Sequence, residues 1–169
     1  EGFKKTSHPL MPQIKSFSKS LSKEAGKYVH WGATTQDITD TGLVLQLKDA
    51  SKIISSQLEQ LLQISLKQAI QYKSLVMAGR THAQQAVPIT LGYKIAIWAN
   101  ELGHHLERLQ EARKRYLVGE LAGAAGTIAS LGSKGLAVQD RYCHILGLET
   151  PTITWHVSRD GFAEFSSIL

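Results

Sequence analysis

The sequence is short of cysteine. Cys143 is the only one among 169 residues, so no disulfide can form within the chain. A lone thiol with no His or Asp close by in sequence reads as a core side chain, and it fits a reducing compartment such as the cytoplasm. Long apolar runs are also missing. Nothing approaches the ~20 residues of a membrane span, and the first residues lack the apolar core of a signal peptide. Aromatic residues make up only 7% and are not interleaved with the basic ones, although the formal net charge is +5. The basic residues are scattered, which argues against a nucleic-acid footprint. No His-Glu-x-x-His spacing occurs, and His104 and His105, being adjacent, point to different faces of a helix, so no zinc site is expected. The Gly-rich stretch Gly119–Gly132 lacks a Gly-Lys-Ser/Thr ending and is not a phosphate loop.

Proline is scarce too, with four in the chain. None falls between residues 38 and 73. There Leu43, Leu47, Ala50, Ile54, Leu58 and Leu61 step by three or four, the spacing of one helical face. At ~1.5 Å per residue such a helix is on the order of 50 Å long and needs partner helices of similar length to cover it. Leu91, Ile95, Trp98, Leu102, Leu106, Leu109, Ala112 and Tyr116 repeat the pattern, and Pro88 is expected to open this second long helix. Two long helices joined by a bounded loop predict an antiparallel hairpin. A first helix is expected from Pro12 to about Ala25, a third over Lys134–Leu146 closed by Gly147, and a last one opening at Arg159 or Asp160. The fold class is all-α.

Two polar segments interrupt this periodicity. In the first, His30-Trp31-Gly32-Ala33-Thr34-Thr35-Gln36-Asp37, the threonine hydroxyls, the Gln36 amide and backbone N–H groups could cradle an anion at a helix start. The same residues could equally be a capping loop, with Asp37 or a threonine as N-cap. The second, Gly79-Arg80-Thr81-His82-Ala83-Gln84-Gln85, is expected to be an irregular loop. It groups an arginine able to hold a carboxylate with a histidine able to move a proton near neutral pH. A plain polar turn between helices is the alternative.

These segments resemble the signatures of the fumarase/aspartase superfamily. Tyr28 to Gly42 looks like its first motif and Gly79 to Gly92 like its second. Gly123-Ala124-Ala125-Gly126-Thr127 and Trp155-His156-Val157-Ser158-Arg159-Asp160 match later landmarks in the right order. Trp31 and the Trp155-His156 pair lean toward the 3-carboxy-cis,cis-muconate cycloisomerase branch, with adenylosuccinate lyase close behind. The resemblance implies a homotetramer on a central bundle of long helices, its active sites shared between subunits, acting on a small polycarboxylate with neither organic cofactor nor metal. It divides the chain into residues 1–36, the tail of an N-terminal helical domain with a substrate loop, and 37–169, the first part of the bundle.

Carried over residue by residue, the resemblance makes His82 the acid that protonates the leaving group and His30 a second catalytic histidine in contact with substrate. Thr34, Thr35, Gln36, Arg80, Thr81, Gln85 and Arg159 become substrate-binding residues. Thr35 replaces the serine usual in the first motif but keeps a hydroxyl. The third signature, a mobile Gly-Ser-Ser-x-Met-Pro-x-Lys loop bearing the general base, is absent and is expected beyond Leu169, which would make the chain a piece of a longer enzyme and inactive by itself. A different class, a non-catalytic structural protein on the same scaffold, is the competing reading.

Overall fold

The computed structural model describes residues 2–169. Helices dominate it: α1 (Gly2–Thr6), α2 (Met11–Ser20), α3 (Lys23–Gly26), α4 (Thr35–Gln71), α5 (Leu91–Tyr116), α6 (Gly135–Leu146) and α7 (Asp160–Ile168), with a 3-10 turn at Ala129–Lys134. The all-α expectation holds for everything except one two-stranded ribbon. Two compact units divide the chain. One holds the residues up to Gln46 with Leu117–Gly161, the other Leu47–Tyr116 with Phe162–Leu169.

The first unit is built around α4's opening turns. The helix begins at Thr35, and residues 37, 40, 41 and 44 form the buried face of these turns. That face is largely polar, offset from the apolar stripe predicted for it. Asp37 and Thr41 point inward because they serve the backbone of a buried extended segment at Leu117–Ala122. Thr41 Oγ1 takes the Glu120 N–H at 2.9 Å and donates to the Glu120 carbonyl at 3.0 Å. A single threonine thus satisfies both backbone groups of one buried residue, as a sheet neighbour would. Gln139 on α6 donates to the Leu121 carbonyl at 2.9 Å. Gly119 packs so closely on α6 that an added Cβ would lie 2.7 Å from the Cys143 sulfur. Gly147 closes α6 in the left-handed region, its N–H reaching the His144 carbonyl, as the sequence predicts. α7 opens at Asp160, also as expected. The single helix expected from Pro12 to Ala25 is instead two, because Leu21 is extended and Ser22 caps a fresh turn by accepting the Ala25 N–H.

In the second unit, Ile95, Ala99, Leu109, Ala112, Tyr116 and Phe165 are buried, the Tyr116 and Phe165 rings 4.9 Å apart. Ile53, Leu61, Ile64, Leu66 and Ile70 on α4, and Ile97 and Trp98 on α5, are exposed. The connection between α4 and α5 is not the irregular loop expected. It is an antiparallel ribbon, β1 (Val76–Thr81) with β2 (Gln84–Thr90). The β-branched residues Val76, Thr81, Val87, Ile89 and Thr90 favour this pairing over a coil. Pro88 therefore lies in β2 opposite Ala78, not at a helix start, and Thr90 caps α5 by accepting the Tyr93 N–H at 3.1 Å. No helix among the described residues is long and apolar enough to cross a membrane.

Candidate active site

The first polar segment is pinned by Asp37, whose carboxylate is 1% exposed. Its Oδ2 accepts the backbone N–H of Thr34 at 2.8 Å and of Gly123 at 3.0 Å. Its Oδ1 accepts the Ala122 N–H at 3.1 Å and meets His156 Nε2 at 2.7 Å. A carboxylate only accepts, so in this bond Nε2 of His156 is the donor. Asp37 is thus the third residue of the helix and Thr34 its N-cap, which settles the capping alternatives in favour of a threonine. Gly123, at φ 75°, reaches the carboxylate where a side chain could not go, since a Cβ there would lie 2.8 Å from the Gly32 carbonyl oxygen.

Beside this pair, Glu120 is fully buried, its carboxylate accepting Trp155 N–H at 2.7 Å and Thr154 Oγ1 at 3.2 Å. Burial pushes the Glu120 carboxyl above its ordinary range, and the Trp155 N–H, His156 and the Thr154 hydroxyl pull partly against that. His156 Nε2 lies 3.9 Å from Glu120 Oε1. Asp37, Glu120 and His156 carry the ligand types of a metal site, yet these hydrogen bonds already engage the oxygens of both acids. The arrangement is a buried hydrogen-bonded cluster.

The sequence-predicted anion contacts gather round it. Gln36 Nε2 donates to the His156 carbonyl at 2.7 Å and to Asp40 Oδ2 at 3.1 Å. Both partners are acceptors, which fixes the amide's orientation and commits both of its hydrogens inward. In this arrangement the carbonyl oxygen of the amide is the atom without a committed hydrogen bond inside the chain. Arg159 donates to the same Asp40 oxygen at 3.0 Å while its guanidinium lies 5.9 Å from the Trp155 ring, and its side chain is 47% exposed.

Thr35 Oγ1 lies 3.0 Å from His8 Nε2. His8 Nδ1 accepts the N–H groups of Leu10 and Met11, so Nε2 holds the ring proton and donates to Thr35, leaving the hydroxyl hydrogen free for another acceptor. His8 escaped the sequence reading because Ser7-His8-Pro9 looks like ordinary helix punctuation. The signal that could have found it is its place next to a proline turn, where two free amides await an acceptor.

His30 sits in the left-handed region at φ 66°, and its Nε2 is buried with no hydrogen-bond partner among the described residues. In the other unit, His82 and Ala83 form the two-residue tip of the ribbon, with Thr81 paired to Gln84 at its base. Both tip residues have positive φ, 46° and 62°, the backbone of a type I′ turn. That conformation is uncommon outside glycine and costs on the order of 1 kcal/mol for each such residue. Both histidines singled out from sequence therefore share a strained backbone.

A bulge leaves Ala86 without a ladder partner and turns Arg80 opposite Gln85. Arg80 lines a hollow of about 270 Å³ with Tyr93 and Lys94, and Gln85 lines one of about 350 Å³ with Val76 and Pro88, the two meeting at Met77 and Ala78. Arg80, Thr81, His82 and Gln85 thus share the ribbon.

A lyase family model matches residues 6–169, nearly the whole chain. The chain belongs to this lyase family, the fumarase/aspartase superfamily. The chain is 48% identical over 162 residues to an N-acetyl-S-(2-succino)cysteine lyase of Enterococcus italicus, an alignment covering 96% of this chain and 35% of the relative. It is 43% identical over 161 residues to a 3-carboxy-cis,cis-muconate cycloisomerase of Acinetobacter baylyi (95% and 36% covered) and 44% identical over 167 residues to an adenylosuccinate lyase of Methanocaldococcus jannaschii (98% and 36%). Among solved structures, a fumarate lyase of Mesorhizobium sp. BNC1 superposes with a TM-score of 0.92 at 44% identity, covering 99% of this chain and 39% of that one. The chain thus spans about a third of the length of the curated relatives it matches.

Proposed function

We propose that the whole protein performs acid/base elimination, or the reverse addition, at the carbon next to a substrate carboxylate. A base takes the proton from that carbon. Its electron pair is held as an aci-carboxylate by fixed donors, then forms the new double bond as the bond to the leaving atom breaks. His82, as imidazolium, gives its proton to the leaving atom, so the products are an unsaturated carboxylate and a neutral leaving group. In the cycloisomerase variant, a carboxylate oxygen closes on a double bond and the adjacent carbon gains a proton.

The observation that carries this reading is the strained, positive-φ backbone at both His30 and His82. Such strain persists where the surrounding structure fixes a side chain for function. Thr35, with its hydroxyl hydrogen free, and Arg159, half-exposed beside Trp155, supply groups for a carboxylate. The general base is assigned to the loop signature expected beyond Leu169. Self-association into a tetramer, with sites completed between subunits, would cover the exposed Ile53, Leu61, Ile64 and Ile70.

The first reading of the substrate is 3-carboxy-cis,cis-muconate, favoured by Trp31 and the Trp155-His156 pair; a succinyl compound that releases fumarate is the second, favoured by the names of the lyases it resembles. Assaying the full-length protein beside each of 3-carboxy-cis,cis-muconate, adenylosuccinate and N-acetyl-S-(2-succino)cysteine tests both. Turnover of one substrate supports the chemistry and picks the branch. A folded, assembled protein that turns over none of them would end the proposal and leave the structural alternative.

A further inference from the structure

The hydrogen bonds of His156 tie together three stretches of chain that no regular secondary structure joins. Its Nε2 donates to Asp37 at 2.7 Å, and its carbonyl accepts the Gln36 amide at 2.7 Å. Asp37 in turn holds the amides of Thr34, Ala122 and Gly123. The neighbouring Trp155 is fixed by its N–H to Glu120 and by its indole N–H to the Gly119 carbonyl at 3.0 Å. Three residues on from His156, Arg159 is tied to Asp40, the same carboxylate that takes the second Gln36 hydrogen. The residues offered to an anion, Thr34, Thr35 and Arg159, therefore come from two segments far apart in sequence, held together by the His156–Asp37, Gln36–His156 and Arg159–Asp40 bonds.

We propose that His156 is a positioning residue: its buried Nε2–Asp37 bond and its carbonyl–Gln36 bond set the register between the Thr34–Thr35 hydroxyls and Arg159, so that both engage one carboxylate-bearing substrate. The His156 side chain is 11% exposed and bonded to Asp37, so it acts on substrate through others rather than by contact. The inference rests on the acid/base reading above. It goes beyond it in naming a residue outside the reacting groups whose loss weakens capture more than chemistry. His82 lies on the ribbon, in the other unit, and its turn is closed by its own ladder.

The test uses the full-length protein and the substrate found to be turned over. His156→Ala is expected to raise KM by about 10-fold or more while kcat stays within about 3-fold, the signature of lost binding rather than lost chemistry. His156→Gln, which keeps an N–H donor, is expected to recover most of that loss. His156→Met, of similar bulk without a donor, is not. If the alanine variant fails to fold, the Gln and Met variants carry the same comparison. Equal kinetics in the Gln and Met variants would overturn the proposal, because volume alone would then be what matters. So would a KM unchanged in His156→Ala.

A readout free of activity separates this from failure of the functional reading. Amide hydrogen exchange at Ala122 and Gly123 is expected to speed up in His156→Met and to slow again in His156→Gln. Unchanged exchange would overturn the positioning role whether or not any substrate is turned over.

Discussion

Replacing Asp37 by alanine probes the densest knot of the first unit. The carboxylate is buried and accepts three backbone N–H groups and one imidazole N–H. Each charge-assisted bond of this kind is worth about 1.5–3 kcal/mol net, and each donor left orphaned in the interior costs about 1–3 kcal/mol. The contributions are not independent, and water entering the space vacated by the side chain would recover part of them. A loss of about 4 kcal/mol is therefore the expected scale, within the tail that only buried networks and large cavities reach. Asp37→Asn keeps the shape but turns an N–H₂ toward donors, so about half that loss is expected from leaving one or two of them without an acceptor. Denaturant unfolding of the full-length protein, at one fixed concentration because association contributes to apparent stability, measures both. The order parent, Asn, Ala should appear in the midpoints. An alanine variant within about 1 kcal/mol of the parent would refute the reasoning, since a surface carboxylate would behave that way.

Three other perturbations read separate parts of the structure. His82→Gln should lower turnover of the intact enzyme by at least ~10²-fold, and turnover within a factor of three of the parent would defeat its assignment as acid. Gly123→Ala adds a Cβ 2.8 Å from the Gly32 carbonyl oxygen at a positive φ and should destabilise by about 2 kcal/mol or more, as seen by thermal unfolding. Glu120 has its carboxyl raised above its ordinary value of 4.5, mainly by burial. Folding therefore favours the protonated form, and this group's contribution to stability is full below pH 4.5 and is lost as pH rises through the folded-state value. The stability of Glu120→Gln relative to the parent should accordingly improve as pH rises over that window, and a difference independent of pH would contradict the raised value.

The sequence revealed helices wherever periodicity and punctuation agreed. Gly147 closing α6 and Asp160 opening α7 are local signals, set by the left-handed freedom of glycine and by the charge at a helix start. The ribbon was hidden because its signals conflict. Val76, Val87 and Ile89 favour strands, but Pro88 reads as a helix start and His82-Ala83 is a poor turn sequence, so only the ladder itself decides. The buried face of α4 was hidden for another reason. Asp37, Asp40 and Thr41 look like a solvated stripe, and nothing local reveals that Glu120 and His156 arrive from about 80 and 120 residues away to use them. Gln36 shows the same limit: nothing local reveals that its amide reaches the His156 carbonyl and Asp40. His30 and His82 were legible as candidates through the motifs, but their shared backbone strain was not.

The ribbon's tip sets folding against chemistry. The dipeptide that best suits such a tight reversal is Asn followed by Gly. Installing it through His82→Asn and Ala83→Gly would make the reversal easier to fold and delete the imidazole in the same stroke. The fingertip therefore stays a slightly uncomfortable bend. Relaxing position 82 would remove the group the reaction would need, so only Ala83→Gly could ease the reversal and spare it.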